Sequence, residues 1–168
     1  RLTHAPDDTI NGAVIRLVQA NIPQGRKWDA DEAERNLMKH VHLSRSSGAE
    51  KVSHVVWPET ATRFLLVQDD FARSMVTSAL TPSAILLAGT LRAEKTETGE
   101  RRYFNSVAAL NDLGVYLGGY DKSHLVPFGE YVPLAKFFPF IRKVTPVPMD
   151  LGVGYGVKTT VLPRTLPV

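Results

Sequence analysis

Apolar residues fall in short runs along this chain, and their spacing predicts alternating strands and helices. Residues 14–20, VIRLVQA, read as a buried strand that stops at the turn-forming Asn21-Ile-Pro-Gln-Gly. From 29 to 46 the apolar positions Ala30, Ala33, Leu37, Met38 and Val41 follow helical spacing. Asp29, Asp31 and Glu32 fall in its first turn, where carboxylates favour the helix dipole, and Gly48 is a stop signal. Residues 52–57, VSHVVW, form a second strand. Residues 69–80 form a second helix with Phe71, Met75, Val76, Ala79 and Leu80 on one face. A third buried strand covers 84–89, and polar residues 96–102 read as a hairpin loop into a strand at 103–110. Asn111-Asp-Leu-Gly then turns into a last strand at 115–120. The order β-α-β-α-β-β-β predicts an α/β fold, with parallel pairing early and antiparallel strands from the closing hairpins. From Pro146 onward Pro, Gly and Thr recur and no periodic segment survives.

Composition narrows the class. The 168 residues suffice for one sizeable domain, and 43% hydrophobic content suits a packed core. There is no cysteine, so disulfides and thiolate metal sites are excluded. No run approaches the roughly 18 apolar residues of a membrane span, and the opening Arg1-Leu-Thr-His-Ala-Pro-Asp-Asp has no signal-peptide core. The chain begins without Met. Residues 1–12 are therefore expected to be a linker from an upstream, membrane-spanning region, with 13–168 the first portion of a domain. The net charge of +3 is scattered among acids with no basic stripe, so no nucleic-acid partner is expected. An anionic membrane surface stays open as a partner.

Two segments could carry chemistry. "WPET", Trp57 to Thr60, closes the second strand, and "YDKSHLVPFGEY", Tyr120 to Tyr131, follows the last. Side chains at strand ends in α/β sheets emerge into the ligand-binding crevice. Taken singly, Glu59 and Lys122 read as solvated surface residues. Together they supply a carboxylate that can take a proton and an ammonium that can stabilise an oxyanion. His40 and His42, two apart on a helix, do not share a face, and His54 and His124 read as structural. Gly152, Gly154 and Gly156 make a G-x-G-x-G without the strand-to-helix context of a nucleotide fingerprint. No G-x-S-x-G elbow is present.

"WPET" followed by "YDKSHLVPFGEY" resembles the carbon–nitrogen hydrolase (nitrilase) superfamily, whose catalytic set is Glu, Lys and Cys. Within it, "RLVQANIPQGRKWD" (16–29) and "HLVPFGEYVP" resemble the extramembrane domain of the apolipoprotein N-acyltransferases, over about residues 14 to 155. The resemblance implies an incomplete nitrilase-type α-β-β-α sandwich, with Glu59 as general base and Lys122 as the oxyanion-stabilising lysine. It makes Glu130 the second glutamate, which positions that lysine, and puts Trp28 near the acyl-binding site. The family's nucleophilic cysteine lies on a strand beyond the point where this chain stops, so the chain is expected to be an inert first portion of the enzyme. The implied reaction moves an acyl chain from a phospholipid, through a cysteine thioester, to the N-terminal amine of a diacylglyceryl-cysteine lipoprotein. No cofactor is implied. The implied location is the periplasmic face of a Gram-negative inner membrane.

One stretch points to lipid independently. After Tyr131 the sequence packs Phe137, Phe138, Phe140 and Ile141 beside Lys136, Arg142 and Lys143. Aromatic and basic residues mixed in a short arm suit a membrane interface, and Phe137 and Phe138 are expected to contact substrate there. The same aromatics could fill the core; their place directly after the lysine loop favours the interface. Two alternatives remain: a soluble amidase or nitrilase portion, or a non-catalytic binding module on the same fold.

Overall fold

A computed structural model describes residues 12–131 and 151–156. The strands are β1 (Ile15–Leu17), β2 (His54–Val56), β3 (Ile85–Lys95), β4 (Arg101–Asn111) and β5 (Tyr116–Asp121). The helices are α1 (Ala33–Ser44) and α2 (Asp70–Thr77), with short 3₁₀ turns at Gln24–Arg26 and Ala49–Lys51. The five strands form one sheet in chain order. β1, β2 and β3 are parallel, and β4 and β5 close the sheet antiparallel. The expected order and pairing are therefore present. Among the described residues no helix is long and apolar enough to cross a membrane.

Both helices cover one face of the sheet. Leu37 and Val41 of α1, with Ala72 and Val76 of α2, pack onto Val55, Leu86, Ala88 and Leu110. Leu37, Leu66, Leu86 and Leu110 are wholly buried, each contributing about 1.5–3 kcal/mol of transfer free energy. On the other face Ile15, Leu17 and Val107 are exposed. Strand alternation puts Leu91 and Asn105 on that second face, directly opposite one another across the β3–β4 ladder. The candidate site is built there.

Element ends differ from expectation for local reasons. The helix expected from residue 29 begins at Ala33, because Asp29 spends its carboxylate on the Asp31 N–H in a tight turn (2.9 Å). At its other end Arg16 donates to the carbonyls of Ser44, Ser46 and Ser47 (2.6–2.8 Å), satisfying groups the last turn leaves unpaired. α2 is capped by Asp69, which accepts from the Ala72 N–H (2.9 Å). The hairpin loop expected at 96–102 is shorter, since the ladder runs to Lys95↔Arg101 and leaves 96–100 as the turn. Arg92, Glu94, Lys95, Arg101 and Arg102 thus sit in paired strands, held by the backbone ladder and, for Arg92, by its ion pair with Asp121.

Candidate active site

Glu59 is held by the turn that follows β2. The Ala61 N–H donates to the Gly89 carbonyl (2.9 Å), drawing residues 58–60 across β3. That approach needs a glycine: a Cβ on Gly89 would sit 2.3 Å from the Pro58 oxygen and 2.6 Å from the Glu59 Cα. Thr60, next in the chain, has φ +47°, a left-handed conformation rare for a β-branched residue. Lys122 follows β5 directly, its N–H donating to the Asn105 carbonyl (2.8 Å). Glu130 lies eight residues on, in a loop closed by Gly129 and Glu130 N–H donors to the Val126 carbonyl.

The structure brings the three charged residues together. Lys122 Nζ donates to Glu59 Oε1 (3.0 Å) and to Glu130 Oε1 (3.2 Å). Asn105 Nδ2 donates to the same two oxygens, at 2.6 and 2.8 Å. Two carboxylates and two donors thus close a four-membered ring of hydrogen bonds. Glu130 Oε2 takes the Val126 N–H (2.8 Å). The side chain of Glu130 is 11% exposed and that of Glu59 is 64% exposed, so one carboxylate is held in the protein and the other is open to solvent.

Electrostatics follow from these contacts. Burial alone would lower the Lys122 pKa, but its hydrogen bonds and ion pairs with Glu59 and Glu130 outweigh burial and raise it. Burial would likewise raise the Glu130 pKa; donors from Asn105, Val126 and Lys122 outweigh that and lower it. At neutral pH the centre holds the Lys122 ammonium against the Glu130 carboxylate.

A cavity of about 280 Å³ opens beside the ring, lined by Glu59, Lys122, Glu130, Lys27, Trp28 and Leu151, among others. Trp28 is half-buried, and its indole N–H has no protein partner. Lys27 Nζ donates to the Glu59 carbonyl (3.3 Å). Expected residues Glu59, Lys122, Glu130 and Trp28 therefore share one site. Phe137 and Phe138 lie outside the described residues, as does the rest of the apolar-basic arm. His40 is buried and His42 exposed on the same helix, His54 is buried and His124 is exposed.

Asn105 was missed by sequence reasoning. A signal existed: an amide side chain inside the apolar run "YFNSVAAL" is out of place in a central strand unless it has buried partners.

A mixed sheet of this order, carrying Glu59 and Lys122 at its strand ends in contact across a crevice, has the nitrilase-type α/β fold. An amidase from Nesterenkonia sp. aligns with a TM-score of 0.51 at 17% identity, covering 91% of this chain and 52% of that one. In sequence, the chain is 39% identical over 161 residues to the apolipoprotein N-acyltransferase of Rhizobium etli (strain CIAT 652), covering 91% of this chain. It is 40% identical over 146 residues to the same-named protein of Brucella suis biovar 1 (strain 1330), covering 84% of this chain. The chain belongs to the apolipoprotein N-acyltransferase family. It spans 30% and 27% of the length of those two relatives. No family model matches it.

Proposed function

We propose that these residues form the Glu–Lys–Glu part of an acyl-transfer centre, completed by a cysteine thiol from outside the 168 residues. The observation that carries this reading is Lys122 Nζ held between Glu59 and Glu130 at the edge of the cavity. Glu59 takes the thiol proton, and the thiolate sulfur bonds to the carbonyl carbon of a phospholipid ester. A free thiol has a pKa of about 8.5, so a neighbouring base is useful. Lys122 faces the oxyanion that forms. When the tetrahedral intermediate collapses, the carbon–oxygen bond to the lysophospholipid breaks, and the departing oxygen takes the proton from Glu59. The thioester carbonyl is then attacked by the α-amine of a lipoprotein's diacylglyceryl-cysteine. An amide forms, the carbon–sulfur bond breaks, and the amine proton passes through Glu59 back to sulfur.

Asn105 and Glu130 act without touching substrate: they keep Lys122 charged and in place. Trp28 flanks the acyl chain in the cavity. The segment with Phe137 and Phe138 contacts lipid, placing the centre at a membrane surface, in this reading the periplasmic face of the inner membrane. Residues 1–12 connect to an upstream region, and 13–168 form the first portion of the catalytic domain. On this reading the 168 residues alone form no acyl-enzyme.

The test uses the full-length enzyme. Glu59→Gln and Lys122→Met should each abolish thioester formation, seen as loss of the acyl mass increment on the intact protein. Removing one oxyanion donor typically costs about 10²–10³ in rate. Near-normal turnover in either variant would refute the assigned roles.

A further inference from the structure

The Gly152, Gly154, Gly156 triplet fits no nucleotide fingerprint, yet the structure gives it a place at the site. Residues 151–156 run as a strap beside the ends of β4 and β5. The Leu151 N–H donates to the Glu130 carbonyl (3.2 Å), Gly152 to Tyr103 (2.7 Å) and Gly154 to Lys122 (3.0 Å). Within four residues the strap therefore holds the backbone of both Lys122 and Glu130, and bonds two residues before Asn105. The Leu151 side chain is buried with Leu91 and Leu125 under the cavity.

Two of the glycines are required by contact. A Cβ on Gly154 would lie 2.1 Å from the Asp121 oxygen and 2.7 Å from its carbonyl carbon. A Cβ on Gly152 would lie 2.5 Å from Arg102 Nε and 2.7 Å from Phe104 Cε1. The wall that Gly154 meets is rigid. Asp121 takes a bidentate pair from Arg92 (3.0 and 2.6 Å) and the Ser106 hydroxyl (2.5 Å). Arg92 in turn lies over the Phe104 ring, 4.6 Å from its centroid. Lys122 is the next residue after Asp121. Its two carboxylate contacts are already at 3.0 and 3.2 Å, so a displacement of about 1 Å would break both.

We infer that the 151–156 strap is a positioning device for Lys122 and its partner carboxylate, with Gly152 and Gly154 setting where Lys122 and Glu130 meet. This inference rests on the role proposed for Lys122. A side chain at either glycine lifts the strap, shifts Lys122 and loosens its contact with the two carboxylates.

The experiment reads the lysine directly. The 168-residue chain is acetylated with sulfo-N-hydroxysuccinimidyl acetate near neutral pH, and the rate at each lysine is followed by peptide mass spectrometry. The expected result is a slow Lys122 in the wild type and a several-fold faster one in Gly154→Ala and Gly152→Ala, because losing the carboxylate contacts that raise its pKa leaves more free amine. The other lysines and the far-ultraviolet circular dichroism should not change. Gly152→Ala meets side-chain rather than backbone atoms, so it decides the matter if Gly154→Ala fails to fold. Val153→Ala, which trims an exposed side chain between the glycines, should leave Lys122 slow. An unchanged Lys122 rate in folded Gly152→Ala, or a rise shared in proportion by the other lysines, overturns the inference. In the full-length enzyme the same glycine variants should lower kcat with KM unchanged. A faster Lys122 with wild-type kcat would leave the strap's positioning intact and sink the catalytic role of the lysine.

Discussion

Replacing Asn105 by Asp turns the central donor of the site into a third carboxylate. Asn105 is 7% exposed and lies 2.6 and 2.8 Å from oxygens of Glu59 and Glu130. At that separation two like charges repel by several kcal/mol even at an effective dielectric constant of about 20. The folded variant can escape by binding one proton, which the unfolded chain does not hold above a pKa of about 3.9. That escape sets a ceiling: about 1.4 kcal/mol per pH unit above 3.9, or about 4 kcal/mol at pH 7. The folded-state pKa is raised, so the variant's stability is fullest below the unfolded pKa and falls as pH rises. Against a typical total of about 5–15 kcal/mol this is a large share. Asn105→Ala behaves differently. It removes hydrogen bonds to charged acceptors, about 1.5–3 kcal/mol for the buried Glu130 and less for exposed Glu59, with no extra proton and little pH dependence near neutrality. Urea unfolding of both variants and wild type, at a series of pH values from about 4.5 to 7, separates the two. A flat Asn105→Asp penalty across that range, or an Asn105→Ala penalty under about 0.5 kcal/mol, would refute the bridging role.

Two further outcomes are expected. His40 is buried against Trp57, and burial lowers its pKa despite the Asn36 carbonyl beside it; unfolding exposes it to protonation, so wild-type stability should fall as pH drops below about 6.5. The slope of urea midpoint against pH should be shallower in His40→Phe, and an unchanged slope there would dismiss His40 as its source. Gly89→Ala should destabilise the chain by about 1–3 kcal/mol, as overpacking does, because its Cβ would strike the backbone of Pro58 and Glu59. The same variant should slow acyl transfer in the full-length enzyme, and wild-type kinetics would show that the 58–60 turn has no need of that close approach.

Periodicity made the order of elements and both helices legible, because Leu37 and Val41, or Ala72 and Val76, repeat at the spacing that one buried face demands. Boundaries were less legible where polar side chains decide them: Asp29 delays the start of its helix, and Arg92, Glu94 and Arg102 extend a hairpin that apolar patterning would have stopped. Glu59, Lys122, Glu130 and Trp28 were found through motif resemblance, with strand-end position as support. Asn105 escaped because its role depends on partners 25 and 46 residues away, and the strap because it works through distant backbone approach, neither of which a local pattern encodes. An asparagine in a strand and a glycine triplet carry no period.

The spacing of the hydrogen-bonded ring along the chain has a kinetic consequence. Its members are separated by 63 residues for Glu59 and Lys122, 46 for Glu59 and Asn105, and 25 for Asn105 and Glu130. The β3–β4 hairpin can form from neighbours alone, but the ring rewards the chain only after the β2–β3 crossover and the β4–β5 pairing have both closed their loops. Its hydrogen bonds should therefore be absent from the folding transition state and act mainly on the unfolding rate, as contacts made late do. A mutation in this centre would shorten the lifetime of the folded domain while leaving its speed of folding nearly untouched.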